Sequence, residues 1–136
     1  MKLKKLLLFL CIFALTILPL HVFAAGISDI DNTSVYVSGI EYTGVLYVID
    51  GYIDNFGVSG NADADKIKLD VKCTYRNKNG QTMTRYAPTE TYYNTDYAYF
   101  ENVSSLYPPT GYDVISVKGT YTVYKDGSYK QSSITL

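Results

Sequence analysis

The chain has 136 residues, with 12 basic and 13 acidic side chains, two cysteines, a single histidine, no tryptophan and a formal net charge of −1. This weakly acidic balance argues against a nucleic-acid partner, because that function requires a clustered positive surface. The length suits one domain with its own hydrophobic core.

The amino terminus has the three parts of a secretory signal peptide. Three lysines lie within the first five residues, residues 6–20 are almost purely apolar, and Val22 and Ala24 occupy the −3 and −1 positions of a small-residue cleavage site. The apolar run is shorter than the ~20 residues of a comfortable membrane span, although an uncleaved anchor is the alternative. We therefore predict a signal peptide over residues 1–24 and one secreted domain, free of the membrane, over residues 25–136.

Cleavage after Ala24 restricts the chemistry of the remaining chain. The segment carries away Cys11, His21 and three of the 12 basic residues but none of the 13 acidic ones, which leaves a net charge of about −4. Cys73 then has no disulfide partner, and without histidine the domain has no histidine-dependent triad or zinc site. Cys11 is not a lipid attachment site, because Leu10 precedes it and most of the apolar run follows it. The sequence predicts no cofactor.

The first part of the domain contains three strand patterns of moderate strength. Segments 34–42 and 45–53 are rich in Val, Ile and Tyr, and the Thr43-Gly44 dipeptide between them predicts a turn. Segment 56–62 predicts a third strand, with Phe56 and Val58 on one face.

The clearest strand runs from residue 66 to residue 76. Apolar and polar residues alternate strictly over this segment, which is typical of a strand with one buried face, and Cys73 falls on the inward face. The outward face carries Lys66, Lys68, Lys72 and Arg76. These side chains could contact an anionic wall polymer, although a solvated strand face is the simpler interpretation.

Two hairpins follow from turn chemistry. Asn77-Lys78-Asn79-Gly80 predicts a tight turn into a partner strand over residues 81–86, and Asp126-Gly127 predicts a turn between strands 112–124 and 129–136. Residues 95–103 form a further strand candidate. Residues 106–111 contain two prolines and predict a crossing loop.

Seven to eight short strands with frequent turns predict an all-β fold, a single antiparallel β-sandwich of the immunoglobulin or fibronectin-III type. A small barrel is the alternative.

The segments 57–62 (GVSGNA), 111–114 (GYDV) and 117–123 (VKGTYTV) resemble small secreted proteins of Gram-positive bacteria whose domains have no assigned function. The resemblance covers about residues 50–136; it implies a secreted bacterial sandwich and no site residues. Tyr112 also resembles the tyrosine corner of immunoglobulin-like folds, with an ordinary core aromatic as the alternative.

Two groups of acidic residues have a functional and a simpler interpretation. Asn61, Asp63 and Asp65 have the alternate spacing with which a calcium loop begins, but Lys66 and Lys72 occupy the positions where the helix-loop-helix motif requires glycine and glutamate. A looser calcium site and a polar turn are the two interpretations left open.

Paired carboxylates could serve an extracellular hydrolase, but the candidates are scattered along the sequence. They are Asp50, Asp54, Glu90 and Glu101.

Tyrosines are dense between residues 86 and 107, where turn-forming residues interrupt the strand pattern. Tyrosine provides rigid amphipathic contact area that suits protein or glycan recognition, and broken strands place such rings on exposed loops. We predict that this stretch is the interaction surface of a non-catalytic module for an unknown protein or glycan at the cell surface; a carbohydrate-binding accessory domain is a special case. The candidate residues are Tyr86, Tyr92, Tyr93, Tyr97, Tyr99 and Tyr107.

Overall fold

The computed structural model describes residues 27–136, and within this range the chain is almost entirely β-structure. The signal peptide, its cleavage site, Cys11 and His21 lie outside the described residues. The elements are β1 (Asp29–Val37), β2 (Ile40–Ile49), β3 (Tyr52–Asn77), β4 (Thr82–Tyr86), β5 (Glu90–Tyr99), a 3-10 turn (Val103–Leu106), β6 (Tyr112–Lys125) and β7 (Ser128–Thr135).

All seven strands join one antiparallel sheet in which the long strand β3 pairs with four others. Its start, residues 52–60, pairs with β2 on one side and with the end of β5 on the other. Its remainder, residues 66–77, pairs with β6 on one side and with β4 and the start of β5 on the other. We call each part of β3, together with the strands joined to it, a half-sheet: the first contains residues 52–60 and the second contains residues 66–77. The sheet folds over on itself into a nearly closed barrel, so the prediction of an all-β antiparallel fold is confirmed.

The predicted turn at Thr43-Gly44 is wrong. Strand β2 runs straight through Gly44, and the chain reverses instead at Ser38-Gly39 and Asp50-Gly51. These turns lie inside the predicted strands 34–42 and 45–53, so the bounds of both strands are also wrong. All four of these residues have positive φ angles between 49° and 80°, as two-residue hairpin turns of the primed type require. Gly44 therefore has a packing role rather than a turn role.

The remaining turns agree with the sequence. Asn77 accepts hydrogen bonds through its side-chain oxygen from the backbone N–H groups of Asn79 and Gln81, each at 3.0 Å, and Gly80 has φ +80°. Asp126 and Gly127 connect β6 to β7 with φ angles of +50° and +76°. Both predicted hairpins are therefore confirmed. They could be predicted because the chain reversal depends on local backbone chemistry.

Two predicted strand boundaries require correction. Segments 56–62 and 66–76 are parts of a single strand, which bends through an irregularity in its pairing with β5 between Ser59 and Ala64. The strand predicted over residues 95–103 begins at Glu90 and ends at Tyr99, and Val103 opens the 3-10 turn. Asn94, with φ +49°, lies inside β5 where this strand passes from one half-sheet to the other.

Three aromatic rings lie on three glycines in the interior. A methyl group on Gly44 would overlap the ring of Tyr121, one on Gly60 would overlap Tyr42, and one on Gly119 would come within 2.7 Å of Phe56. The Tyr121 and Phe56 contacts join the two half-sheets, because each ring reaches a glycine on the opposite half. Close packing of this kind requires glycine for space rather than for backbone freedom.

The hydroxyl groups of the fully buried tyrosines donate hydrogen bonds to backbone carbonyls. The Tyr42 hydroxyl donates to Ala62 at 3.0 Å and the Tyr75 hydroxyl donates to Leu106 at 2.6 Å. The Tyr121 hydroxyl donates to Thr33 on β1 at 2.7 Å. Buried hydroxyls need such partners to offset their lost hydration. These three rings belong to the core, and all lie outside the tyrosine-rich stretch.

The near-closure of the barrel depends on side chains between β1 and β7. The hydroxyls of Thr33 and Ser132 are 3.0 Å apart, and the Tyr121 bond to the Thr33 carbonyl reinforces this seam. Tyr112, the proposed tyrosine-corner residue, is partly buried and packs against the core. Tyr75 is the residue that ties a strand to the proline loop through its hydroxyl.

Candidate binding surface

The structure distributes the six candidate tyrosines over three places. Tyr86 and Tyr93 project outward from the second half-sheet, and Tyr97 and Tyr99 lie at the end of β5 on the first half-sheet. Tyr107 is in the loop, where its ring meets Tyr52 edge to face at 5.5 Å. The change of half-sheet inside β5 causes this division, which periodicity could not show. Five of the six rings are exposed, and Tyr92 alone is half-buried against the core.

Tyr92, Tyr97 and Tyr99 form what we call the tyrosine cluster. The ring centroids of Tyr97 and Tyr99 are 5.7 Å apart, and those of Tyr92 and Tyr99 are 6.0 Å apart. The Tyr92 hydroxyl donates to the Tyr99 carbonyl at 2.5 Å, which fixes the half-buried ring beneath the exposed pair. Tyr97 borders a shallow groove of about 190 Å³ that continues over Asn55 and Gly57. The cluster thus presents two exposed rings on a fixed third ring.

The cluster is held in place by Glu90. Its carboxylate accepts hydrogen bonds from the backbone N–H groups of Glu101 and Asn102 and from the Asn102 side-chain amide, at 2.8–3.0 Å. These bonds anchor the loop that follows β5, and Ser105 adds a bond to the Asn102 carbonyl. Because they occupy the carboxylate oxygens, the most evident role of Glu90 is structural.

Negative charge surrounds the cluster. Burial, and next the carboxylates of Glu90 and Glu101, together raise the pKa of Tyr92 to about 12. A hydrogen bond and the charge of Glu101 also raise the pKa of Tyr99. Both hydroxyls therefore remain protonated at physiological pH; the Tyr92 proton is donated to the Tyr99 carbonyl and the Tyr99 proton to Glu101, so each hydroxyl offers a partner its acceptor oxygen.

The hydrolase candidates separate into two places. Asp50 and Asp54 flank the turn into β3, and Asp50 accepts a hydrogen bond from the Ser28 hydroxyl at 3.3 Å. Glu90 and Glu101 are neighbours: the Glu101 backbone N–H donates to the Glu90 carboxylate at 3.0 Å, and both carboxylates raise the pKa of Tyr92.

The calcium hypothesis receives no support from the described residues. Asp63 and Asp65 lie where β3 bends, and Asp65 accepts a hydrogen bond from the Asp126 backbone N–H at 2.7 Å. Within residues 27–136, no three His, Cys, Asp or Glu side chains are grouped as metal ligands would be. The polar-turn interpretation accounts for the bond between Asp65 and Asp126.

Cys73 is buried, as its phase in the alternating strand predicts. It is 1% exposed, and burial raises the pKa of its thiol to about 11. Because the thiolate is the reactive species, a thiol reagent at pH 8 should label the native protein roughly 100-fold or more slowly than the unfolded chain. Labelling rates with and without denaturant measure this ratio. Equal rates would mean that the centre of β3 opens readily.

Sequence reasoning missed the exposed tyrosines outside the predicted stretch. Tyr129 stacks on Tyr124 with ring centroids 5.5 Å apart, and Tyr36 and Tyr52 are also exposed. The pairing of Tyr124 with Tyr129 follows directly from a two-residue turn at Asp126-Gly127, because each residue outward from such a turn faces its counterpart. That register was available in the sequence.

Comparison with known proteins finds no protein-family model that matches the chain and no significant match among curated proteins. None of the helices in the described part of the chain has the length and apolar character needed to cross a membrane.

Proposed function

We propose that this chain is a secreted, non-catalytic binding module that contacts an extracellular protein or glycan through exposed tyrosines. The signal-peptide pattern of residues 1–24 supports the extracellular location. We further propose that the domain is an immunoglobulin-like sandwich of the kind found in small secreted proteins of Gram-positive bacteria. The face-to-face packing of the two half-sheets supports the sandwich description.

A single observation carries the proposal: among the described residues, eight of the ten exposed large hydrophobic side chains are tyrosines. An exposed ring would bury apolar area on binding and keep a hydroxyl for directional contacts, at a small loss of conformational freedom. The tyrosine cluster is the best organised example, because Tyr92 supports Tyr99 from below and Glu90 fixes the adjoining loop. Such preorganisation lowers the entropic penalty of association.

The test uses Tyr97→Ala and Tyr99→Ala in the mature protein. Binding should weaken by ~1 kcal/mol or more, in the range of interface hot spots, while the melting temperature changes little because both rings are exposed. Purified cell wall, common polysaccharides and extracts of host surfaces serve as the binding panel, with affinity measured on any component retained.

Tyr36→Ala is the control from outside the cluster, since it removes a ring on β1 that is 62% exposed, against 50% for Tyr97 and 43% for Tyr99. A lower melting temperature with unchanged binding would mean that the cluster serves stability, and would contradict the proposal.

An extracellular hydrolase is the second candidate, favoured by the approach of Glu90 and Glu101 to Tyr92. Turnover of a panel polysaccharide that disappears in Glu101→Gln would support that alternative.

A further inference from the structure

The outer face of the second half-sheet concentrates positive charge. Lys66, Lys68 and Lys72 alternate outward along β3, and Lys118 on β6 is the register partner of Lys72. Alternate residues of a strand are about 6.8 Å apart, so the three lysines of β3 lie in one row in which Asp70 separates Lys68 from Lys72. Arg76, the last basic residue of this strand face, is the register partner of Asp113 and lies at the far end of the row.

This charge contrasts with the rest of the domain. Five of the 12 basic residues of the chain, four lysines and Arg76, lie on this face, although the domain expected after cleavage is net acidic. Within the outward row from Lys66 to Lys72, the sole acidic residue is Asp70, and its carboxylate accepts a hydrogen bond from the Thr89 hydroxyl at 2.5 Å. The bond to Thr89 fixes the Asp70 carboxylate, whose charge offsets that of one lysine in the row.

Aromatic rings lie beside the lysines. The Lys66 ammonium is 4.0 Å from the centroid of the Tyr124 ring, which stacks on Tyr129. The Lys72 ammonium is 5.9 Å from the centroid of Tyr86, and that ring is 73% exposed. We call the surface formed by these residues, together with Lys68 and Lys118, the lysine-tyrosine face.

The face also contains a groove of about 320 Å³. Lys72, Lys118, Tyr86 and the hydroxyl-bearing side chains of Thr89 and Thr120 line it, together with Asp70, Val71 and Ala87. Two cations, an aromatic ring and hydroxyl groups therefore converge on one depression, and Asp70 contributes one carboxylate to it.

We propose that the lysine-tyrosine face binds a linear acidic polysaccharide whose sugar carboxylates pair with the lysines. The four ammonium groups complement negative charges spaced along a linear chain, and the tyrosine rings and threonine hydroxyls match the two other features of a sugar, its apolar ring face and its hydroxyl groups. A negatively charged domain with four lysines on one face fits such a chain better than the denser charge of a nucleic acid. This surface is separate from the tyrosine cluster, so the inference goes beyond the proposed function.

Polygalacturonate is the probe, and its fully methyl-esterified form is the uncharged control. We expect the mature protein to bind polygalacturonate with an affinity that falls as salt is added, and to bind the ester at least about tenfold more weakly. The double variant Lys72→Gln/Lys118→Gln should lose about tenfold or more in affinity for polygalacturonate. Its melting temperature should remain near that of the parent, since both side chains are half-exposed.

The matched control is Lys78→Gln/Lys125→Gln, which removes the same charge from the Asn77–Gly80 turn and from the end of β6. It should bind within about twofold of the parent. Equal losses in the two double variants would overturn the proposal in favour of a general charge effect. Equal binding of the esterified polymer, or tighter binding of single-stranded DNA at the same salt concentration, would also overturn it. Tyr97→Ala leaves this face unchanged, so failure here and failure of the proposed function are distinguishable.

Discussion

Replacement of Gly44 by alanine is expected to lower the free energy of unfolding by about 1–3 kcal/mol, because the new methyl group overlaps the Tyr121 ring. Alanine in a strand interior otherwise stabilises by roughly 0.5–1 kcal/mol relative to glycine, so a net loss would report the ring contact. Tyr121 has little freedom to move aside, since its hydroxyl donates to the Thr33 carbonyl. Denaturant unfolding at neutral pH measures the change.

A double-mutant cycle with Tyr121→Leu isolates this contact. Once the ring is removed, Gly44→Ala should have little effect or become stabilising, so the two substitutions should be strongly non-additive. Thr43→Ala, at the neighbouring outward position, is the control and should leave stability within about 0.5 kcal/mol of the parent. Additive effects of Gly44→Ala and Tyr121→Leu would contradict the ring-on-glycine explanation.

Tyr75→Phe is expected to lower the free energy of unfolding by about 1–3 kcal/mol, although it removes one oxygen atom and keeps the ring. The Tyr75 hydroxyl donates to the Leu106 carbonyl at 2.6 Å in a buried setting, and phenylalanine would leave that carbonyl without this partner. Leu106 ends the 3-10 turn and is itself buried, so the loop that leads to β6 should loosen as well.

The control for this substitution is Tyr86→Phe, which makes the same chemical change on a ring that is 73% exposed. It should leave the melting temperature unchanged, because water replaces any bond that the hydroxyl loses. Hydrogen exchange of the amides around Leu106 would show whether the loop loosens in Tyr75→Phe. Equal stability of the two phenylalanine variants would mean that the buried bond contributes nothing net.

The same kinds of residue played different roles that only context could distinguish. Gly80 and Gly127 were correctly assigned to turns, since each stands beside a turn-forming Asn or Asp between two alternating segments. Gly44 also follows a polar residue but lies inside β2. Glycine is required there because the Tyr121 ring from β6 occupies the space of a side chain. A contact between strands so distant in sequence leaves no local pattern.

The tyrosines show the same division. Tyr92 and Tyr93 are adjacent and both were predicted to be interaction residues, yet Tyr93 is exposed on the second half-sheet and Tyr92 packs against the core. Their separation follows from the alternation of side chains along β5. The passage of β5 from one half-sheet to the other then carries Tyr97 and Tyr99 away from Tyr86 and Tyr93.

The sequence by itself determined the all-β class, the strand over residues 66–76 with its inward Cys73, and the hairpins at Asn77–Gly80 and Asp126-Gly127. These features depend on period-two alternation and on local turn chemistry, which are written in consecutive residues. The tertiary structure alone decided which glycines support rings, which tyrosines form the core, and that Lys118, Tyr86 and Tyr124 join the three lysines of β3 on one face. Those features depend on register between distant strands and on the bend of β3, where contact is set by packing in three dimensions.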